Sequence, residues 1–262
     1  MRLTDMADEL YAAPACSALP GGVRVATARH DGVTVTRVEI TREGLARPRG
    51  RYVTLEMPSV SVLDERDTDV IETGAAELRA LLPPEGPVLV LGIGNRRVTA
   101  DALGPRTAQK ILVTMGPQHT LPVRGIRPVA ALAPGVSGDT GLTLRQLAAA
   151  MVDAVRPAAL ICVDSLCSAE AARLGRTIQF SDTGLHPADA RHARHLDAAA
   201  LGVPVIAAGI PTLMDADEGA DLVLTPRALD SVIAHGSGLL AGILNRALQP
   251  RLSVAQLCWL TG

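Results

Sequence analysis

Aromatic side chains are nearly absent from these 262 residues: Tyr11, Tyr52, Phe180 and Trp259 are all of them. So few rings exclude base stacking as a binding principle. The core must therefore be built from Leu, Val, Ile and Ala. No charge of one sign dominates, because 25 basic side chains face 27 acidic ones. That balance excludes the basic footprint of a nucleic-acid partner. No apolar run reaches the roughly 18 residues of a membrane span. No apolar stretch follows Met1-Arg-Leu-Thr-Asp5, so no signal peptide is read there. A cytoplasmic protein without membrane or nucleic-acid partners is expected. Cys16, Cys162, Cys167 and Cys258 form no Cys-x-x-Cys pair and read as reduced, structural thiols.

What is present is a chain that changes character near residue 83. Before it, Val23-Arg-Val-Ala-Thr27, Val33-Thr-Val-Thr-Arg-Val-Glu-Ile40 and Arg51-Tyr-Val-Thr-Leu-Glu-Met57 alternate apolar and polar residues. Such alternation predicts half-buried antiparallel strands. His30-Asp31-Gly32 is a hairpin signal. Helical spacing follows over 64–82, and Pro83-Pro84 ends it. Beyond 87 the pattern alternates strand and helix. Strands are predicted at 88–92, 128–133, 159–163, 177–180 and 203–208, and helices at 102–114, 140–155 and 227–247. The near-continuous apolar runs suit a parallel sheet covered on both faces. The expectation is an α/β fold, a mostly parallel sheet flanked by helices with a small N-terminal β-rich appendage. We divide it into an N-terminal segment, 1–83, packed on an α/β core, 84–262.

Right-handed crossovers bring the loops after the strands to one edge. Asp101, Asp164, the loop Pro134-Gly135-Val-Ser-Gly-Asp139 and the loop Gly209-Ile-Pro-Thr212 fall there. Gly92-Ile-Gly94 follows an apolar strand, but a dinucleotide fingerprint needs glycine where Arg97 stands. It also needs an acid ending the next strand, and Ala133-Pro134 stands there instead. A nucleotide-dependent oxidoreductase therefore fits poorly. Asp101 and Asp164 are the pair that carries chemistry. Two close carboxylates can divide acid and base roles, or hold a metal with a histidine. Alternatively Asp101 is an N-cap and Asp164 a strand-end acid. His186, before Pro187 in a loop, is a third candidate, whereas His192 and His195 look like a solvated basic stretch. Ser137 and Ser165 lack the Gly-x-Ser-x-Gly elbow.

Read together, several blocks carry a resemblance. They are Leu91-Gly-Ile-Gly-Asn-Arg-Arg-Val-Thr-Ala-Asp-Ala-Leu-Gly-Pro105, Ile126-Arg-Pro-Val-Ala-Ala-Leu-Ala-Pro-Gly-Val136 and Val163-Asp-Ser-Leu166. Thr177-Ile-Gln-Phe-Ser-Asp-Thr-Gly-Leu-His-Pro187 and Gly202-Val-Pro-Val-Ile-Ala-Ala-Gly-Ile-Pro-Thr212 follow in order. With the N-terminal strands and Leu222-Val-Leu-Thr-Pro-Arg227, they resemble the bacterial spore germination protease family over nearly the whole chain.

The resemblance implies an endopeptidase that degrades small acid-soluble spore proteins, in the spore core, on a fold similar to that of the hydrogenase maturation proteases. It implies that Asp101 and Asp164 are the essential acids. One would activate water and the other would polarise the scissile carbonyl. Backbone N–H groups near Gly94, Asn95 or Gly135 are candidate oxyanion donors. No cofactor is firmly implied. A divalent metal held by Asp101, Asp164 and His186 is the alternative taken from the maturation proteases. The family's zymogen processing would fall between Asp5 and Met6 here, within Arg2-Leu-Thr-Asp-Met-Ala7, and its assembly would be a homotetramer. The chain departs from the family in the short bridge Met214-Asp-Ala-Asp-Glu-Gly-Ala-Asp221 and in the stretch after Pro187. The alternatives are a metal-dependent maturation-type peptidase with another substrate, and a catalytically silent scaffold.

Overall fold

A computed structural model describes residues 3–12, 19–63, 66–116, 125–186, 195–216 and 222–261. Met1, Arg2, Cys16, Pro187, His192 and the stretch 217–221 of the short bridge lie outside the described residues.

The strands are β1 (Val23–His30), β2 (Val33–Ile40), β3 (Gly50–Glu56), β4 (Val88–Gly92), β5 (Val129–Leu132), β6 (Ala159–Cys167), β7 (Thr177–Ser181), β8 (Val205–Asp215) and β9 (Val223–Leu224). They form one sheet in the order β1-β2-β3-β7-β8-β6-β4-β5, with β9 paired to β8. The four strands β5, β4, β6 and β8 are mutually parallel, and the rest join antiparallel. The class is α/β, and the sheet is mixed. The N-terminal strands continue the core's sheet through the pairing of β3 with β7. The helices are α1 (Ala7–Tyr11), α2 (Thr68–Leu81), α3 (Leu103–Gln109), α4 (Ser137–Thr140), α5 (Leu144–Val155), α6 (Ala198–Leu201), α7 (Leu229–Leu248) and α8 (Val254–Thr261). Local chemistry sets their starts. Asp67 caps α2 by accepting from Val70 N, and Thr143 with Gln146 makes a capping box on α5.

Strand alternation sends successive side chains to opposite faces. On one face Val35, Leu55, Ile178, Phe180, Ala208, Ile161, Val163 and Val90 join α2 and α7 in one unbroken apolar cluster. The other face is different. Tyr52, Val38 and Ile40 pack under α1, while Leu91, Cys162, Leu160 and Val205 pack under α5. Between these two clusters the sheet carries a polar row. Thr54 is registered with Gln179, Gln179 with Gly209, and Gly209 with Asp164. The functional groups sit in this gap.

The strands that flank the gap run further than the sequence predicts. β6 continues through Asp164 to Cys167, and β8 continues through Gly209 to Asp215. Periodicity marks apolar runs, whereas here the pairing carries polar and glycine positions along. In contrast α3 ends at Gln109, well short of 114.

Gly104 at the start of α3 lets the helix press on the sheet. A Cβ there would lie 2.3 Å from both Ile93 O and Val163 O. Both are backbone atoms, so the helix itself would have to move. We expect Gly104→Ala to cost ~1–3 kcal/mol, the usual scale of overpacking, as a lowered urea midpoint. An unchanged midpoint would show that α3 has slack the close contact denies.

Candidate active site

The glycine turn after β4 returns the chain to the sheet edge. Gly94 has φ +125, and a Cβ there would lie 2.0 Å from Asp101 O. No L side chain fits such a close approach of backbone to backbone. Asp101 ends a single 3₁₀ turn, Thr99–Asp101, and does not cap α3, whose first turn makes no side-chain cap bond. Its carboxylate turns back instead, and Oδ2 accepts from Asn95 N at 2.7 Å.

Asp164 stands within β6, is 5% exposed, and accepts at Oδ1 from Ser165 N at 2.9 Å. Asp101, Asp164 and His186 line one cavity of about 390 Å³. Gln179, Arg47 and Asp5 line it too. The structure therefore brings together four of the sequence candidates: Asp101, Asp164, His186 and Asp5. Met6 is fully buried beside them. Gly94 and Asn95 support Asp101 from behind without lining the cavity, and Asn95 N is taken up by that carboxylate. Gly135, at φ +80 in the loop after β5, is not among the lining residues.

Leu3 and Asp5, just before α1, form part of the cavity wall, and several of their polar groups are fixed. Asp5 N donates to Cys167 O at 2.8 Å, and Cys167 N donates to Asp5 Oδ2 at 2.7 Å. Arg47 Nη2 donates to Asp5 Oδ1 at 3.3 Å, within a pair whose side chains are 9% and 11% exposed. Gln179 Nε2 donates to Asp5 O at 2.9 Å, while Gln179 Oε1 accepts from Ala7 N at 2.8 Å. Arg47 and Gln179 escape sequence reasoning because they meet Asp5 across 42 and 174 positions. Strand alternation puts Gln179 on one face of β7, but only the strand order reveals that this face is the cavity floor.

His186 is committed to protein partners. Its Nε2 is 2.9 Å from Thr183 O, a contact that requires Nε2 to be the donor. The Nδ1 of neutral His186 then accepts from His195 Nδ1, 3.2 Å away. Both ring nitrogens are thus engaged. Among the described residues no three His, Cys, Asp or Glu side chains are grouped to hold a metal ion. The donor set around Asp101 and Asp164 does not fit the tetrahedral three-ligand site of a metallopeptidase.

Nucleophilic side chains fit no better. Burial, then Asp5 and Asp215, pushes the Cys167 thiol up to about 12, which leaves it protonated and unreactive. Ser165 Oγ is buried, and among the described residues no base hydrogen-bonds it. The cavity presents carboxylates, an amide and a guanidinium, with Leu3 and Asp5 in its wall. Chemistry that suits these groups is acid–base attack of water on an amide.

The class is thus an α/β protein with a carboxylate-lined, peptide-holding cleft. The sequence model of the germination protease family matches residues 7–218, and the chain belongs to that family. A germination protease of Clostridium perfringens strain 13 is 32% identical over 280 residues, covering 85% of this chain and 86% of that one. One from Clostridium acetobutylicum is 30% identical, covering 90% and 91%. One from Bacillus velezensis is 38% identical over 220 residues, covering 78% of this chain and 58% of the relative. The solved [NiFe] hydrogenase maturation protease HycI from Thermococcus kodakarensis KOD1 matches 64% of this chain and 98% of its own. With TM-score 0.42 and 15% identity, that likeness transfers no activity. No helix among the described residues is long and apolar enough to cross a membrane.

Burial lowers the His186 pKa from its ordinary 6.5, with the Thr183 carbonyl and Asp197 opposing. Below 6.5 the unfolded chain takes up a proton that the folded chain binds less readily, so stability falls as pH falls. We expect the melting temperature to drop between pH 7 and pH 5, and His186→Gln to flatten that drop. An identical pH dependence in the variant would remove His186 from the explanation.

Proposed function

We propose that this chain is an endopeptidase whose working acids are Asp101 and Asp164. Its first substrate is its own Asp5–Met6 bond, and small acid-soluble spore proteins are its substrates in trans, in the spore core. One observation carries this: Asp5 lines the same cavity as both acids, with its carbonyl and side chain each hydrogen-bonded in place. Membership of the germination protease family supports peptide hydrolysis as the reaction.

One carboxylate accepts a proton from the attacking water and later delivers it to the Met6 nitrogen. The other, protonated, donates to the scissile carbonyl. The fixed geometry makes attack effectively intramolecular, which contributes much of the rate. Each step is assigned to the two carboxylates and one water. Leu3 and Asp5 form part of the wall of the cavity that holds both acids.

Intact mass over time, with and without chelator, follows loss of residues 1–5 from the purified full chain. Asp101→Asn and Asp164→Asn should each slow that loss by at least ~10²-fold, the lower range of acid–base catalysis, while the fold is kept. Processing at the wild-type rate by either variant would sink the assigned roles. Folded wild type that cleaves neither itself nor a spore-protein substrate would favour a binding protein instead.

Asp5→Ala removes the partner of Arg47 and of Cys167 N. We expect self-processing to fall roughly 10- to 100-fold, from ~1.5–3 kcal/mol per hydrogen bond to a charged group. An unaltered rate would mean that the Asp5 side chain is not read.

A further inference from the structure

We propose that the side-chain amide of Gln179 is the oxyanion donor at the scissile carbonyl, and so a catalytic residue. This rests on Asp5–Met6 being the bond cut. The carbonyl that would be attacked is Asp5 C=O, and the hydrogen bond the structure gives its oxygen comes from Gln179 Nε2 at 2.9 Å.

Three features suit Gln179 to that task. Its amide cannot be turned the other way round. Ala7 N can only donate, so it requires Oε1, and Asp5 O can only accept, so it requires Nε2. The side chain is 7% exposed and grows from β7, which is paired to β3 on one side and β8 on the other. A buried donor on a rigid strand needs no reorganisation as charge develops on the oxygen.

The register supplies the third feature. Gln179 and Asp164 flank Gly209 in one row on one face of the sheet. Two strand spacings separate their backbones, about 10 Å. Leu166 packs over Gly209, where a Cβ would lie 2.7 Å from Leu166 Cγ, and Gln179, Leu166 and Asp164 all line the one cavity. The backbone donor of the glycine turn is occupied, since Asn95 N is held by Asp101.

The step balances without any added reactant. Water oxygen forms a bond to Asp5 C, and the carbonyl electron pair moves onto Asp5 O, where Gln179 Nε2–H and the protonated carboxylic acid hold it together. The water proton passes to a carboxylate and then to Met6 N. The electron pair on oxygen returns and the C–N bond breaks, giving a carboxylic acid on Asp5 and a free amine on Met6, which stays with α1.

The test uses the full chain, with Gln179→Met and Gln179→Glu compared with wild type by intact mass. Gln179→Met keeps the length and loses the donor. Gln179→Glu keeps an acceptor for Ala7 N, and when protonated its O–H can replace the lost N–H. If Gln179→Met does not fold, Gln179→Glu carries the test alone. Loss of residues 1–5 should slow by about 10²- to 10³-fold, the cost of one oxyanion donor. The Gln179→Glu rate should recover as pH is lowered. Hydrogen exchange at Ala7 N–H separates catalysis from anchoring, because a strap would lose processing and protection together. Slowed processing with Ala7 still protected in Gln179→Glu supports the assignment. Processing at the wild-type rate in a folded variant, or slowing that matches lost protection, overturns it and leaves the aspartate roles standing. Wild type that never releases residues 1–5 overturns both.

Discussion

Asp164 sits in the interior of a strand whose neighbours are hydrogen-bonded to it on both sides, so its carboxylate stays on one sheet face. β4 and β8 flank β6 in parallel, and the register then dictates what stands beside the acid. A buried carboxylate must be hydrogen-bonded to be tolerated, and Ser165 N provides one such bond. The second acid must come from outside the strand, because the next position on β4 is the glycine turn. That turn brings Asp101 back only because Gly94 accepts its backbone and Gly104 lets α3 reach Val163 O. The two acids share a cavity through tight backbone contacts.

The gap around that cavity follows from how the sheet is assembled. Its parallel part is covered on this face by α5, and its antiparallel part by α1. The two covers do not meet. Where they part, the registered residues are Thr54, Gln179, Gly209 and Asp164, none of which could help form an apolar core. Arg47 enters from the connection between β2 and β3, and His186 from the loop after β7. The site is thus the seam between two kinds of sheet, lined by both.

The strand positions around Val88, Ala159 and Val205, and the acids Asp101 and Asp164, were legible because each closes or follows a continuous apolar run. Local spacing could not reveal that β6 carries Asp164 inward by pairing with Gly209. Nor could it show how Asp5, put at the processing point by the resemblance alone, is held by Cys167 and Arg47. Gln179 lies inside a strand whose alternation is plain, yet its polar side chain points to a face that only the strand order defines as open. The short α3 was missed because residues 110–114 keep apolar spacing while Thr114 and Met115 bond to Val129 O.

Anchoring is unequal on the two sides of Asp5–Met6. On the C-terminal side Met6 and Ala7 are fully buried, Glu9 bonds Ser168 and Ala169 N, and Asp8 pairs with Arg173. On the N-terminal side Asp5 carries the ion pair with Arg47, Thr4 Oγ1 donates to Glu9 and accepts from Met6 N, and Leu3 O accepts from the Cys167 thiol at 3.6 Å. While the bond is intact, α1 holds residue 5 at high effective concentration beside Arg47. Cutting it would detach the segment ending at Asp5 from α1, and translational freedom would then favour departure. Against that stands the buried Arg47, whose guanidinium is costly to leave without an acid. If Asp5–Met6 is the bond cut, the balance at Arg47 decides whether Asp5 then leaves the cavity wall.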